Sequence, residues 1–137
     1  MTLKALSLAG LAASLFAGPA LAHHSYAIFD QTKVNYLTGT VKEFEWVNPH
    51  AWLRVEIVGT DGKAASWSFE AGSVAQLAAL GWKKDSFQVG DKVEVGYRPM
   101  KDGSRGGQFM AAKLANGQKV CSNRGCGDGS GSVLAPF

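Results

Sequence analysis

Three histidines occur in this 137-residue chain, at two places only, and no stretch that alternates like a strand contains one. His23 and His24 directly follow the small-x-small triplet Ala20-Leu21-Ala22, and His50 ends Asn48-Pro49-His50. Were the chain cut after Ala22, His23 would become an amino terminus whose α-amine and imidazole can chelate one metal ion. That amine has a reference pKa of about 7.7–8.0 and gives up its proton readily to a metal. A second imidazole across the ion, from His50 or from His24, would complete a T-shaped three-nitrogen site. Nitrogen-rich sites of this kind favour Cu(II), which heads the divalent affinity order. A cut after Ala20 would instead expose Leu21-Ala22-His23, which binds Cu(II) through an amine, two amides and the third-position imidazole, as a tail without need of His50. The plainer alternative is a solvated arm from His23 to Asp30 and a His50 that only caps a turn. Asp30 has two readings as well: it orients an imidazole from behind, or it turns the chain into the first strand.

The coupling of such a site to export rests on residues 1–22. Lys4 supplies a positive start, Ala5 to Ala17 is a nearly unbroken apolar run, and Gly18-Pro19 breaks it before the cleavage triplet. These are the parts of a secretory signal. The run is shorter than the roughly 20 residues a membrane span needs, so cleavage and a periplasmic location are expected over a retained anchor. Removal of residues 1–22 leaves 115 residues, enough for one domain, and, as Lys4 is the only charge lost, lowers the formal charge from +3 to +2. A near-balanced charge argues against a nucleic-acid binder, and no second long apolar segment remains for stable membrane insertion.

The two cysteines, Cys121 and Cys126, stand five residues apart, and in an oxidising compartment such a pair most simply forms a local disulfide. Alone they give two ligands where zinc takes four. The acidic residues single out no catalytic pair: Glu43, Glu45, Glu56 and Glu70 fall at solvent-face strand positions. No G-x-S-x-G, Cys/His nucleophile or phosphate loop is present, so binding is expected over catalysis.

The elements that must position these residues are mainly strands. Val34 to Val47 is β-rich, with Leu37, Gly39 and Val41 on one face and Phe44 and Trp46 continuing on the other parity, which predicts a bulge near Lys42-Glu43. Asn48-Pro49 turns the chain into Ala51–Val58, where Leu53, Val55 and Ile57 alternate with Arg54 and Glu56. Thr60-Asp61-Gly62 is a hairpin signal before a third strand with Ala65, Trp67 and Phe69 inward. Ser73 and Gln76 then make a capping box, Val74, Leu77 and Leu80 recur at helical spacing, and Gly81 stands at the helix end. Two more strands, Lys92–Arg98 and about Gln108–Ala115, flank a flexible basic loop from Pro99 to Gly107. The Gly- and Ser-rich stretch from Ser122 to Pro136 has the composition of a disordered tail.

Three strands, one short helix and two strands, with a long bent first strand, predict a five-stranded OB-fold-like Greek-key barrel over residues 23–120. A small open sandwich competes with it. In such a barrel the first turn and the strand 4–5 loop flank the ligand face, so His50, Trp52, Lys101 and Arg105 are expected to frame one cleft. Trp46, Trp67 and Trp82 could add to a stacking surface, but Trp46 and Trp67 fall on apolar faces. Trp52 has the opposite parity to Leu53, Val55 and Ile57 and is the better ring for lining a site.

The segments His23-His24-Ser25-Tyr26-Ala27-Ile28-Phe29-Asp30, Gly39-Thr40-Val41 and Trp46-x-Asn48-Pro49-His50-Ala51-Trp52 together resemble an uncharacterised family of exported bacterial proteins. In that family an HHS[FY]xxFD start follows the signal and an NPHxW motif comes about 20 residues later. The similarity covers His23 to about Ala115 and leaves out the cysteine-bearing tail. The family is a domain of unknown function, so the resemblance implies an exported domain and no activity. The leading expectation from the residues themselves is a periplasmic copper-binding protein. Its runner-up is an OB-fold adaptor for a periplasmic protein or a small polar ligand, with structural histidines. A copper oxidase using the same N-terminal chelate comes third.

Overall fold

The computed structural model describes residues 26–122. Residues 1–22, His23, His24, Cys126 and most of the expected tail lie outside the described residues. A 3-10 turn (Tyr26–Ile28) leads to strands β1 (Asn35–Glu45), β2 (Trp52–Val58) and β3 (Ala64–Glu70), helix α1 (Val74–Ala79), and strands β4 (Lys92–Pro99), β5 (Gly106–Leu114) and β6 (Lys119–Cys121). The sheet order is β3-β2-β1-β4-β5-β6, and a parallel pairing of β3 with β5 closes the first five strands into a barrel. All other strand pairs are antiparallel. The protein is thus mainly β, a closed five-stranded barrel with one short helix between β3 and β4, as the order of elements predicts. Among the described residues no helix is long and apolar enough to cross a membrane.

β1 serves both halves of the barrel. Residues Asn35 to Thr40 pair with β4, and Thr40 to Glu45 pair with β2. The changeover falls at Thr40, and beside it, at Gly39, a Cβ would lie 2.5 Å from the Glu56 carbonyl oxygen and from a Val55 methyl. Only glycine lets the two backbones come that close. Between Val41 and Glu43 the register with β2 slips by one residue. The slip is the bulge that the parity switch predicts, and it lets Val41 before it and Phe44 after it both face the core.

The core fills the barrel with the inward rows of every strand: Val41, Leu53, Val55, Phe69, Val93, Val95 and Phe109 are all essentially inaccessible. Burying a side chain of this size stabilises the fold by roughly 1.5–3 kcal/mol each. Two aromatic groups plug it. Trp82, Phe87, Phe109 and Phe44 meet with ring centroids 5.2–6.2 Å apart under α1, and Trp67, Phe69 and Tyr97 meet at 5.0–6.4 Å on the other side. Trp46, Trp67 and Trp82 are therefore packing residues. Burial also pushes the Tyr97 phenol above its ordinary pKa.

α1 is fixed at both ends by its sequence. The Ser73 side chain accepts from the Gln76 amide while the Gln76 side chain accepts from the Ser73 amide, a reciprocal capping box. At the other end Gly81 takes a positive φ of 90°, and the amides of Gly81 and Trp82 donate back to the carbonyls of Ala78 and Leu77. This is a Schellman close.

Two expectations need correction. The basic loop is shorter than predicted, because Pro99 ends β4 and Gly106-Gly107 opens β5, already paired with both β3 and β4. In addition, a sixth strand follows the five expected: the chain turns at Asn116-Gly117 into β6, which pairs with β5 and carries regular structure to Cys121, one residue into the expected tail. The Trp82 indole N–H donates to the Cys121 carbonyl (2.8 Å), tying this strand to the helix end. Cys121 is disulfide-bonded; its predicted partner Cys126 lies outside the described residues.

Candidate functional site

His50 sits in the tight connection between β1 and β2, where the sequence places it. That connection, which includes a cis Asn48-Pro49 bond, is held against the segment leaving β3 by contacts at three points. The Asn48 side-chain oxygen accepts from the Val74 amide (3.2 Å), the first amide of α1. The Ala51 amide donates to the Gly72 carbonyl (3.0 Å), and the Ala71 amide donates to the Ala51 carbonyl (2.9 Å). Ala51 itself is fully buried. The chain on either side of His50 is thereby stitched to residues 20 or more positions away.

The imidazole meets Glu70, the last residue of β3. His50 Nδ1 is in direct contact with Glu70 Oε1. A carboxylate has no proton to give, so the hydrogen between them is the one on Nδ1. Glu70 is the one buried charged residue of the described chain, at 8% exposure. Its parity on β3 is the solvent-face parity expected from sequence, yet the turn carrying His50 folds down over it. An Nδ1–H bound to a carboxylate fixes the tautomer and leaves Nε2 as the nitrogen that would meet a metal, the arrangement common behind metal-bound histidines.

Glu70 belongs to a row of outward residues that the register lays around the barrel. Glu45 pairs with Trp52, Trp52 with Glu70, Glu70 with Gln108, and Gln108 with Arg98. Paired residues of adjacent strands point to the same side. Trp52 is thus a half-buried ring on the outer face beside the His50–Glu70 pair, as its parity predicts. One row further on, Arg54 is hydrogen-bonded to Glu45 (2.8 Å) and lies 2.9 Å from Glu43, close enough for an ion pair though not aligned as a hydrogen bond. The bond to Glu45 holds the Arg54 guanidinium above its usual pKa.

The N-terminal segment reaches the same row from the other side. Phe29 is buried and bridges to Met100, the Lys101 amide donates to the Ile28 carbonyl (2.9 Å), and the Asp30 amide donates to the Pro99 carbonyl (2.8 Å). Residues 26–30 therefore continue the β1 side of the sheet along the end of β4 and are bound to it. Gln31 caps the row: its amide nitrogen donates to the Tyr26 carbonyl (3.1 Å) and to Gln108 Oε1 (3.4 Å), and Arg98 donates to its oxygen. The Asp30 carboxylate accepts from the Thr32 hydroxyl and amide and pairs with Lys33 at 3.0 Å. Those bonds hold its pKa down at about 2 and commit it to turning the chain.

The strand 4–5 turn approaches β3 from the edge opposite β2. Trp52 is opposite Glu70, so the His50 turn lies beyond the end of β3. Gly106 is opposite Ser68, and Arg105, whose carbonyl accepts from the Ser68 amide, runs back beside the earlier part of β3. His50 and Trp52 thus stand on one flank of the β2–β3 outer face and exposed Lys101 and Arg105 on the other. Among the described residues no three His, Cys, Asp or Glu side chains converge as a metal set. The described part supplies one anchored imidazole. Glu70 and Gln31 are not singled out by the sequence; the only local trace of either is Glu70's place directly after Phe69, at the end of the inward Trp67 and Phe69 row.

No curated protein and no solved structure matches the chain significantly. A family model described as "Family of unknown function (DUF6152)" matches residues 11–110, from the N-terminal apolar run to β5, and on that match the chain belongs to this family of unknown function.

Proposed function

We propose that the mature protein is a periplasmic copper-binding protein, with His23 as the chelating amino terminus and His50 or His24 as the imidazole across the ion. The observation that carries this reading is the His50–Glu70 contact. A turn stitched to α1 and β3 holds the imidazole, and a nearly buried carboxylate takes Nδ1, which directs Nε2 to a ligand. A histidine that served only as a turn cap has no need of a buried carboxylate behind it. The protein's own contribution is to fix one imidazole and to offer nitrogen donors without thiolate or thioether, a set suited to Cu(II). Sequestration or delivery to a partner protein fits a small domain that fixes one imidazole for binding.

Native mass spectrometry of protein exported through its own signal, purified without chelator or histidine tag, tests both halves of the proposal. The expected result is a mass beginning at His23 with one copper per chain. A mass beginning at His23 that stays metal-free after copper is added overturns it and leaves the adaptor reading, in which the outer β2–β3 face receives a protein or a small polar ligand.

A further inference from the structure

We infer that, independently of any metal, Trp52 is the platform of a saccharide site on the outer face of β2, with the fixed side chains of Glu45, Arg54 and Glu70 as its hydrogen-bonding rim.

The chain has four tryptophans, and Trp52 is unlike the other three. Trp46, Trp67 and Trp82 pack on the barrel core, each with an aromatic partner at 5.2–5.9 Å, and the Trp82 indole N–H is bonded as well. Trp52 joins neither buried cluster. Among the described residues its ring meets no other ring and its indole N–H no acceptor. It stands half-buried on the outward parity, and its register partners on both sides are glutamates, Glu45 on β1 and Glu70 on β3. Side chains paired in this way lie about 5 Å apart at Cβ, and an aromatic residue on a sheet ordinarily gains from aromatic or branched neighbours at those two places. Here neither is present, so packing within the sheet does not account for the ring.

What surrounds the ring decides its ligand. Glu45 accepts from the Arg54 guanidinium at 2.8 Å, Arg54 also lies 2.9 Å from Glu43, and Glu70 is in contact with His50. These pairs hold the two carboxylates in place. A carboxylate has about four lone-pair positions, so each keeps acceptor capacity beyond these bonds. An organic cation would have to displace Arg54 or His50 from its partner. A phosphate would meet Glu43, Glu45 and Glu70. A wholly apolar ligand would strip water from charged groups and return no hydrogen bond. A pyranose ring has none of these conflicts. Its C–H face covers the bare aromatic surface, and its equatorial hydroxyls can donate to the carboxylates and accept from the guanidinium or the indole N–H. The matched charges around Trp52 thus fit a neutral, polyhydroxylated ligand.

The test is an NMR titration of the isotope-labelled full chain, without copper, read at the four indole N–H signals. The probes are the linear tetrasaccharides of N-acetylglucosamine and of glucose, with choline and inorganic phosphate as the charged comparisons. The expected result is a saturable shift of the Trp52 indole with at least one tetrasaccharide, and none with choline or phosphate. Trp52→Leu keeps an apolar side chain beside Glu70 but removes the flat ring. It should hold the wild-type urea midpoint closely and weaken binding about tenfold or more, while Glu45→Ala should weaken it about fivefold. If neither tetrasaccharide moves the Trp52 signal, if choline or phosphate moves it instead, or if Trp52→Leu binds as wild type does, the site is overturned. Since no copper is present, each of those results leaves the copper reading standing.

Discussion

The two turns that flank the outer β2–β3 face are built on opposite plans. The Asn48–Ala51 turn spends its backbone and side-chain bonds on distant partners: Val74, Gly72, Ala71 and Glu70. The Met100–Arg105 turn is mostly self-contained. The Asp102 carboxylate accepts from the Ser104 amide and hydroxyl, which lowers its pKa, and the Gly103 amide donates to the Met100 carbonyl. Its outward commitments are all of the backbone: the Lys101 amide and the Met100 bridge to the N-terminal arm, and the Arg105 carbonyl to the Ser68 amide. The first turn positions a side chain to within a hydrogen bond. The second closes a hairpin and offers the arm an edge. Chemistry that needs accuracy belongs with the first.

The sharpest way to break this contrast is at the base of the second turn. A Cβ at Gly107 would fall well inside contact distance of the Arg98 carbonyl oxygen and of the Tyr97 ring. Gly107→Ala should open the β4–β5 register where β3 closes the barrel, destabilising it by about 3 kcal/mol and lowering the urea midpoint. Gly103→Ala at the tip, where open space surrounds the position and only its positive φ resists, should cost about 1 kcal/mol. A large effect at the tip instead would mean that the hairpin packs on something beyond its own strands.

Next in size is the first turn. His50→Ala removes the partner of a nearly buried carboxylate and should cost about 1–3 kcal/mol in a denaturant titration. Glu70→Gln alone, whose amide oxygen can still accept from Nδ1, should cost much less. An unchanged midpoint in His50→Ala would show that the pair does not hold the turn.

The smallest effect is a pH one, confined to the arm. Asp30 titrates at about 2 in the folded protein against about 3.9 for a free aspartate. A depressed pKa contributes stability that is fully present above pH 4 and is lost as pH falls through 2. The Asp30 carboxyl carbon should therefore titrate near pH 2 by NMR, with the Thr32 amide following it. Because the carboxylate's partners, Thr32 and Lys33, are its near neighbours in sequence, the arm and not the barrel should respond. A midpoint near 4 would remove the Asp30 turn from the account.

The barrel was legible because its signals are local. The parity switch at Lys42-Glu43, the Ser73–Gln76 capping box, Gly81 at the helix end and the inward rows of β2 and β3 each depend on residues a few positions apart. Glu70 was legible in direction and illegible in burial. Its outward parity is real, but whether an outward residue meets water depends on what a loop 20 residues earlier lays over it. Gln31 and Arg98 are 67 positions apart and meet only because the arm continues the β1 side of the sheet. β6 is three residues long, too short for any period, and exists because the Asn116-Gly117 turn returns the chain onto an open β5 edge. His50 stood out in the sequence as a residue type at a turn; the carboxylate that gives it a fixed orientation did not.

The central claim is that His50 is a copper ligand together with the amino terminus. Pulsed electron paramagnetic resonance of the mature protein carrying one equivalent of Cu(II) tests it most directly. The account predicts nitrogen couplings from at least two imidazoles, one of which disappears in His50→Ala while the other stays. An unchanged spectrum in His50→Ala would contradict it, and would assign any bound copper to the arm alone.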